Sequence, residues 1–136
     1  MTDNAMTTNV LRIASAAALV VVGRSLPGLA SRAHAGDAAA GKSVFTAACS
    51  ICHAAQPGKN GVGPSLYGVV GRKTGEEPGF HYSPANQGAN LTWDAATLDK
   101  YLQAPRATIP GTTMTYGGLK DDTKRGDLIA YLATLK

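Results

Sequence analysis

Five consecutive residues, Cys49-Ser-Ile-Cys52-His53, constrain this chain more than any other stretch. Cys-x-x-Cys-His is the pattern of covalent haem attachment. Two cysteines about one helical turn apart can each add to a vinyl group of one porphyrin. The histidine that follows can then reach the iron from one side of the ring. Other uses of these residues fit less well. A thioredoxin-like dithiol sits beside a βαβ pattern, and none is visible. A structural zinc site needs four ligands; beyond Cys49, Cys52 and His53, the chain after residue 35 offers only His81. A disulfide between the two cysteines would close a ring too small to stabilise much. The pentapeptide therefore predicts one haem c, attached through Cys49 and Cys52.

The first third of the chain differs in character from the rest. Residues 1–12 are polar and end in Arg12, an apolar run covers 13–23, and the next segment closes on Ala33-His34-Ala35. A positive flank, an apolar run and a small-x-small site make a secretory signal peptide. The run is shorter than the roughly 20 residues that span a bilayer. Residues 1–35 are thus expected to be a cleaved leader that exports residues 36–136 to the periplasm, where c-type haem can be attached. The long segment after Gly23, with Arg24 and Arg32, leaves an uncleaved anchor as the alternative. The cut also changes the charge. The whole chain carries +4, but without Arg12, Arg24, Arg32 and Asp3 ten basic and eight acidic side chains remain. Two haem propionates would bring that domain close to neutral. No base-reading motif accompanies the charge, so nucleic acid is excluded as a partner.

The working domain reads as all-α, with four to five helices and long loops wrapped around the haem. An alanine-rich helix is expected from Asp37 to Ala48, leading directly into Cys49. From Ala54 to Asn90 glycine and proline recur so densely that loops are expected, with one short turn of helix at Pro84–Gln87. A loop region of this length needs something to fill its interior. Thr92 is a candidate cap for a helix over 94–103 that presents Leu98, Tyr101 and Leu102 on one face and stops at Pro105. After an irregular loop through Met114, a last helix runs from Asp122 to Leu135 on a stripe of Leu128, Ile129, Tyr131, Leu132 and Leu135.

Met114 is the only methionine after residue 35. Methionine commonly fills gaps in cores, but a filler usually lies on a helix stripe, and Met114 lies in a Pro-Gly-Thr loop. It is the expected second ligand of the iron, opposite His53. His81 competes for that role but sits among surface-type residues.

Further motifs fall in register with these: Gly63-Pro64-Ser-Leu66-Tyr-Gly68, Gly71-Arg72-Lys-Thr-Gly75, Pro78-Gly-Phe-His-Tyr82, Leu91-Thr-Trp93, Tyr101-Leu-Gln-Ala-Pro105 and Ile109-Pro-Gly-Thr-Thr-Met114. From Gly36 to Leu135 the chain resembles class I c-type cytochromes, in the group of mitochondrial cytochrome c and bacterial cytochrome c2. The resemblance implies the cytochrome c fold and assigns roles. Gly41 and Phe45 pack against Leu128 and Tyr131. The carbonyl of Pro64 accepts from His53 and fixes its orientation. Tyr82 and Trp93 donate to a buried propionate whose charge Arg72 offsets. Asn86, Tyr101 and Thr112 form the polar cluster beside Met114.

The resemblance also implies a one-electron shuttle and not an enzyme, a monomer whose exposed haem edge meets redox proteins. A bc1-type complex, a terminal oxidase or reductase, or a dehydrogenase are the expected partners, with membrane contact only through them unless the leader is retained. A peroxidase-like haem enzyme or sensor with a displaceable Met114, or an anchored haem subunit, is the alternative. The chain departs from the mitochondrial pattern in three places. The loop before Pro64 is one residue shorter and lacks the histidine that pins it. Of the lysine ring around the haem edge only Arg106 and Lys120 remain, with Ser43, Ala48, Ala107, Thr113 and Asp121 at the other positions. Tyr116 replaces a phenylalanine. With the ring thinned, long-range steering of partners is expected to be weak.

Overall fold

The computed structural model describes residues 36–136; the leader expected over 1–35, with Met1 and Met6, lies outside the described residues. Helix α1, Ala38–Ala48, begins where the Asp37 carboxylate accepts from the amides of Ala39 (2.8 Å) and Ala40 (3.2 Å). Such a cap satisfies amides that the first turn leaves without partners. The alanines that follow give up almost no side-chain entropy in a helix. Gly41 and Phe45, four residues apart, form the buried edge. Past Ala48 the chain keeps turning: the amides of Cys52 and His53 both donate to the Cys49 carbonyl, at 3.1 and 2.9 Å. One tight turn thus gathers the whole pentapeptide at the end of α1.

The expected turn of helix is present as α2, Pro84–Gly88, capped by Ser83. Helix α3, Ala95–Gln103, buries Leu98, Tyr101 and Leu102 as the periodicity predicts. Its cap is Asp94, not Thr92. The Asp94 carboxylate accepts from the Thr97 amide at 2.7 Å, while Thr92 is engaged in an isolated antiparallel bridge with Lys73. That bridge is the only strand-like pairing among the described residues. Pro105 ends α3 but also starts α4, Pro105–Thr108, a single turn that the sequence reading missed. Proline suits a first helical position because its φ is already helical and its missing N–H would have no partner there. Helix α5, Asp122–Thr134, is capped by Asp121.

The Asp94 cap carries a prediction about acid stability. Hydrogen bonds from the Thr97 amide, first, and from the Thr97 hydroxyl hold its carboxyl below the usual carboxylate range. A carboxyl depressed in the folded state stabilises fully above its unfolded value of about 3.9 and loses that contribution as pH falls through the folded value. Asp94→Ala is therefore expected to lower the melting temperature at pH 7. The deficit should narrow as the pH drops below about 4. A deficit that stays constant across melts taken from pH 7 to pH 3 would show that the cap is not electrostatic.

Helices α1 and α5 pack against each other, with Phe45 and Tyr131 in ring contact at a centroid distance of 5.4 Å. The Asp37 amide donates to Asp127 Oδ1 at 2.7 Å, which binds the start of α1 to α5. Helix α3 is tied to α5 by Arg125, 4 % exposed, whose guanidinium donates to Asp99 (2.6 Å), to Asp122 (2.8 Å) and to the Leu119 carbonyl (2.9 Å). The buried apolar residues form one cluster. Val69, Trp93, Leu98, Tyr101, Leu102, Leu128 and Leu132 also line one cavity of about 470 Å³. Natural interiors pack almost without voids. The helices and loops are therefore arranged around a space that a large apolar group must fill.

Candidate functional site: a haem-binding cavity

Cys49, Cys52 and His53 line that cavity together with Met114. Neither cysteine is in a disulfide. Burial, and then the neighbouring Cys52, push the Cys49 thiol up to about 11. This is the reverse of the lowered pKa that an active dithiol requires. His53 Nδ1 lies 2.7 Å from the Pro64 carbonyl. A carbonyl only accepts, so Nδ1 carries the proton and donates, and the Nε2 lone pair is left for a metal. Burial is the main cause that lowers the His53 pKa, with the Pro64 bond opposing it, so the imidazole is neutral and suited to ligation. Gly63 makes this placement possible. A Cβ there would lie 2.2 Å from His53 Cε1.

Around Met114 the structure brings together two of the three expected polar residues. Tyr101 Oη lies 3.2 Å from Thr112 Oγ1 and 3.3 Å from Met114 Sδ, and the Met114 amide donates to Thr112 Oγ1 at 3.3 Å. Asn86 lines the same cavity, but its side chain is hydrogen-bonded to Ser83, whose hydroxyl donates to Asn86 Oδ1 at 2.9 Å. Ser83 was not foreseen from sequence. His81 is exposed and does not line the cavity.

Arg72, Tyr82 and Trp93 meet at another part of the wall. Backbone pairing brings Arg72 and Trp93 together: the Trp93 amide donates to the Arg72 carbonyl at 2.9 Å. The Trp93 ring lies 4.8 Å from that of Tyr101. The Arg72 guanidinium donates to the carbonyls of Ser65 (2.9 Å) and Tyr67 (3.2 Å) and is ion-paired with Glu77. Glu77 is buried, and the sequence reading did not anticipate it. Tyr82 Oη accepts from the Glu77 amide at 3.3 Å, which leaves the hydroxyl proton free to be donated. Burial is the leading cause that raises the Tyr82 pKa, so the phenol stays protonated. The loop that lacks its pinning histidine is pinned by Asn60, whose Nδ2 donates to the Pro78 carbonyl and whose Oδ1 accepts from the Ser65 amide, both at 2.9 Å.

These residues fit a haem on two counts. The cavity falls within the usual 300–1,000 Å³ of cofactor sites and is walled by apolar side chains, two thiols and a neutral imidazole. In addition, Arg72 keeps one buried N–H, at Nε, with no partner among the described residues. Buried donors are almost always paired, so this one awaits an acceptor such as a propionate.

A helical fold closed around a cavity with a Cys-x-x-Cys-His turn in its wall defines a covalent-haem protein. Residues 38–136 match the family described as Cytochrome c. The chain is 50 % identical over 117 residues to cytochrome c2 of Rhodomicrobium vannielii, covering 85 % of this chain and 93 % of that protein. It is 46 % identical over 101 residues to cytochrome c of Euglena viridis, covering 74 % and 99 %. Among solved structures, cytochrome cH from Methylobacterium extorquens superposes with a TM-score of 0.68 at 48 % identity, covering 73 % of this chain and 99 % of that one. The chain belongs to the cytochrome c family, as a class I c-type cytochrome. It is an electron carrier that holds haem c covalently through Cys49 and Cys52.

Proposed function

We propose that this protein is a periplasmic one-electron shuttle whose iron is ligated by His53 and Met114. The observation that carries this reading is the clamp on Met114. Its sulfur is fixed by Tyr101, in turn bonded to Thr112, within the cavity that also receives His53. A gap-filling methionine has no need of a hydroxyl on its sulfur. Haem c supplies one iron that exchanges a single electron, and histidine–methionine ligation places its potential high.

The protein's own contribution is fixed geometry. Pro64 orients His53, Tyr101 orients Met114, and the apolar wall excludes water, so neither ligand needs to move when charge changes. Arg72, Tyr82 and Trp93 hold the polar edge of the haem, and residues 1–35 act as the export leader. Ile51 and Val62, 88 % and 80 % exposed, both line the cavity, which puts an apolar collar at its opening. Exposed apolar surface of this kind suits a small transient contact with a bc1-type complex, an oxidase or reductase, or a dehydrogenase.

Absorption spectroscopy of the purified holoprotein tests the ligand set. A sulfur-to-iron band in the ferric protein is expected, with no spectral change on adding millimolar imidazole at pH 7. Ready imidazole binding without that band would favour the peroxidase-like alternative instead. Intact mass is expected to equal residues 36–136 plus one haem; a mass that retains residues 1–35 would indicate an anchor.

A further inference from the structure

Glu77 has no part in holding the haem, yet it is 7 % exposed in a loop otherwise rich in solvent-facing residues. We propose that Glu77 is a positioning residue that sets the potential of this carrier by withholding part of the Arg72 charge from the haem. The inference rests on the reading that the cavity holds haem with its acidic edge towards Arg72 and Tyr82.

The placement is specific. Glu77 is not in the cavity wall, but it touches two residues that are: its carboxylate pairs with Arg72, and its amide donates to Tyr82 Oη at 3.3 Å. The terminal nitrogens of Arg72 are occupied by Glu77, Ser65 and Tyr67, and only Nε remains for the cavity. A buried carboxylate is costly unless paired. Glu77 therefore stays on Arg72 and does not swing to solvent.

The sign follows from charge alone. Oxidised haem carries one more positive charge than reduced haem. A nearby cation favours the reduced form, and a nearby anion favours the oxidised form. Arg72 and Glu77 oppose each other, and the pair acts as a weak dipole. Glu77→Gln keeps the shape and an acceptor oxygen for Arg72 but leaves the cation uncompensated, so the potential rises. Unit charges about 12 Å apart at an effective dielectric of about 20 bias an equilibrium about tenfold, which sets the upper end of the effect.

The experiment is potentiometric titration of three purified holoproteins: native, Glu77→Gln and Glu76→Gln. Glu76 is the exposed neighbour of the same chemistry. One electron passes between protein and redox standard in each case. Glu77→Gln is expected to shift the equilibrium towards the reduced form by about three- to tenfold, tenfold being about 59 mV for one electron. Glu76→Gln should shift it by less than about twofold, as exposed charges are screened. A potential that is unchanged or lower in Glu77→Gln, with haem and sulfur-to-iron bands intact, would overturn the role of Glu77 and leave the ligand set standing. Loosening of the loop would admit water and lower the potential, the opposite sign. Absence of those bands in the native protein would instead overturn the ligand set.

Should Glu77→Gln yield no holoprotein, the charge can still be followed directly. Glu76 and Glu77 are the only glutamates of the chain. In the Glu76→Gln protein, with unlabelled 5-aminolevulinate supplied so that the haem propionates stay unlabelled, carbon-13 glutamate therefore labels one carboxylate, that of position 77. A labelled carboxylate band that moves between the oxidised and reduced infrared spectra supports the proposal; a silent one refutes it.

Discussion

Replacing Met114 with alanine is expected to lower the reduction potential by on the order of 0.2 V, a fraction of the ~0.8 V that axial ligands control. The same variant should lose the sulfur-to-iron band and bind imidazole at neutral pH. The thioether is neutral and soft, and it favours the reduced iron over the more highly charged oxidised form. Its loss would also leave Tyr101 Oη without the sulfur that it touches at 3.3 Å, in a space open to water. Water beside the iron stabilises the extra charge of the oxidised state, which adds to the fall. The competing idea is that Met114 merely packs. In that case Met114→Ala would cost the 2–5 kcal/mol typical of large-to-small core changes while the potential and spectrum stayed put. Potentiometry and a thermal melt on one sample separate the two.

The features legible in the sequence were those whose signal lies within a turn or two of chain. Asp37 before a run of alanines marks the start of α1, and the 3.6-residue spacing of Leu98, Tyr101 and Leu102 marks the face of α3. The cavity, too, was foreshadowed, because so many glycines and prolines over 54–90 cannot build a core of their own. The misses share a physical cause. Asp94 and Thr92 are both good cap residues in sequence, but Thr92 lies in a backbone bridge with Lys73, nineteen positions away, and Asp94 makes the cap. Asn60 looks like any loop asparagine until Pro78 and Ser65 are folded against it. Arg125 and Glu77 are charged residues of the kind that normally face solvent. They are buried here because Asp99 in one case and Arg72 in the other arrive from elsewhere to pair with them. Local pattern thus identified four of the five helices, all but α4, and the haem turn. The electrostatic wall of the site depends on partners that only the fold assembles.

Gly41→Ala is expected to destabilise the protein by about 2 kcal/mol or more, in line with overpacking of a tight contact, although alanine is the better helix former. In an open helix the exchange would gain roughly 1 kcal/mol. At Gly41 the new Cβ would lie 1.9 Å from the Asp127 carbonyl oxygen, 2.5 Å from its carbon and 2.9 Å from Tyr131 Cβ. Two of these three atoms are backbone and cannot rotate away, so α1 and α5 must separate. Separation would also pull on the Phe45–Tyr131 contact and on the bond from the Asp37 amide to Asp127. Because α1 runs directly into Cys49, the displacement reaches the haem turn, and a lower yield of haem-loaded protein is expected beside the lower melting temperature. Gly126 provides the internal control. It lies in α5, and a Cβ there would meet nothing within 4 Å. Gly126→Ala should therefore stabilise by about 0.5–1 kcal/mol. Thermal melts of both variants decide the matter: if Gly41→Ala stabilises as Gly126→Ala does, helix propensity and not the close approach of α1 to α5 governs position 41.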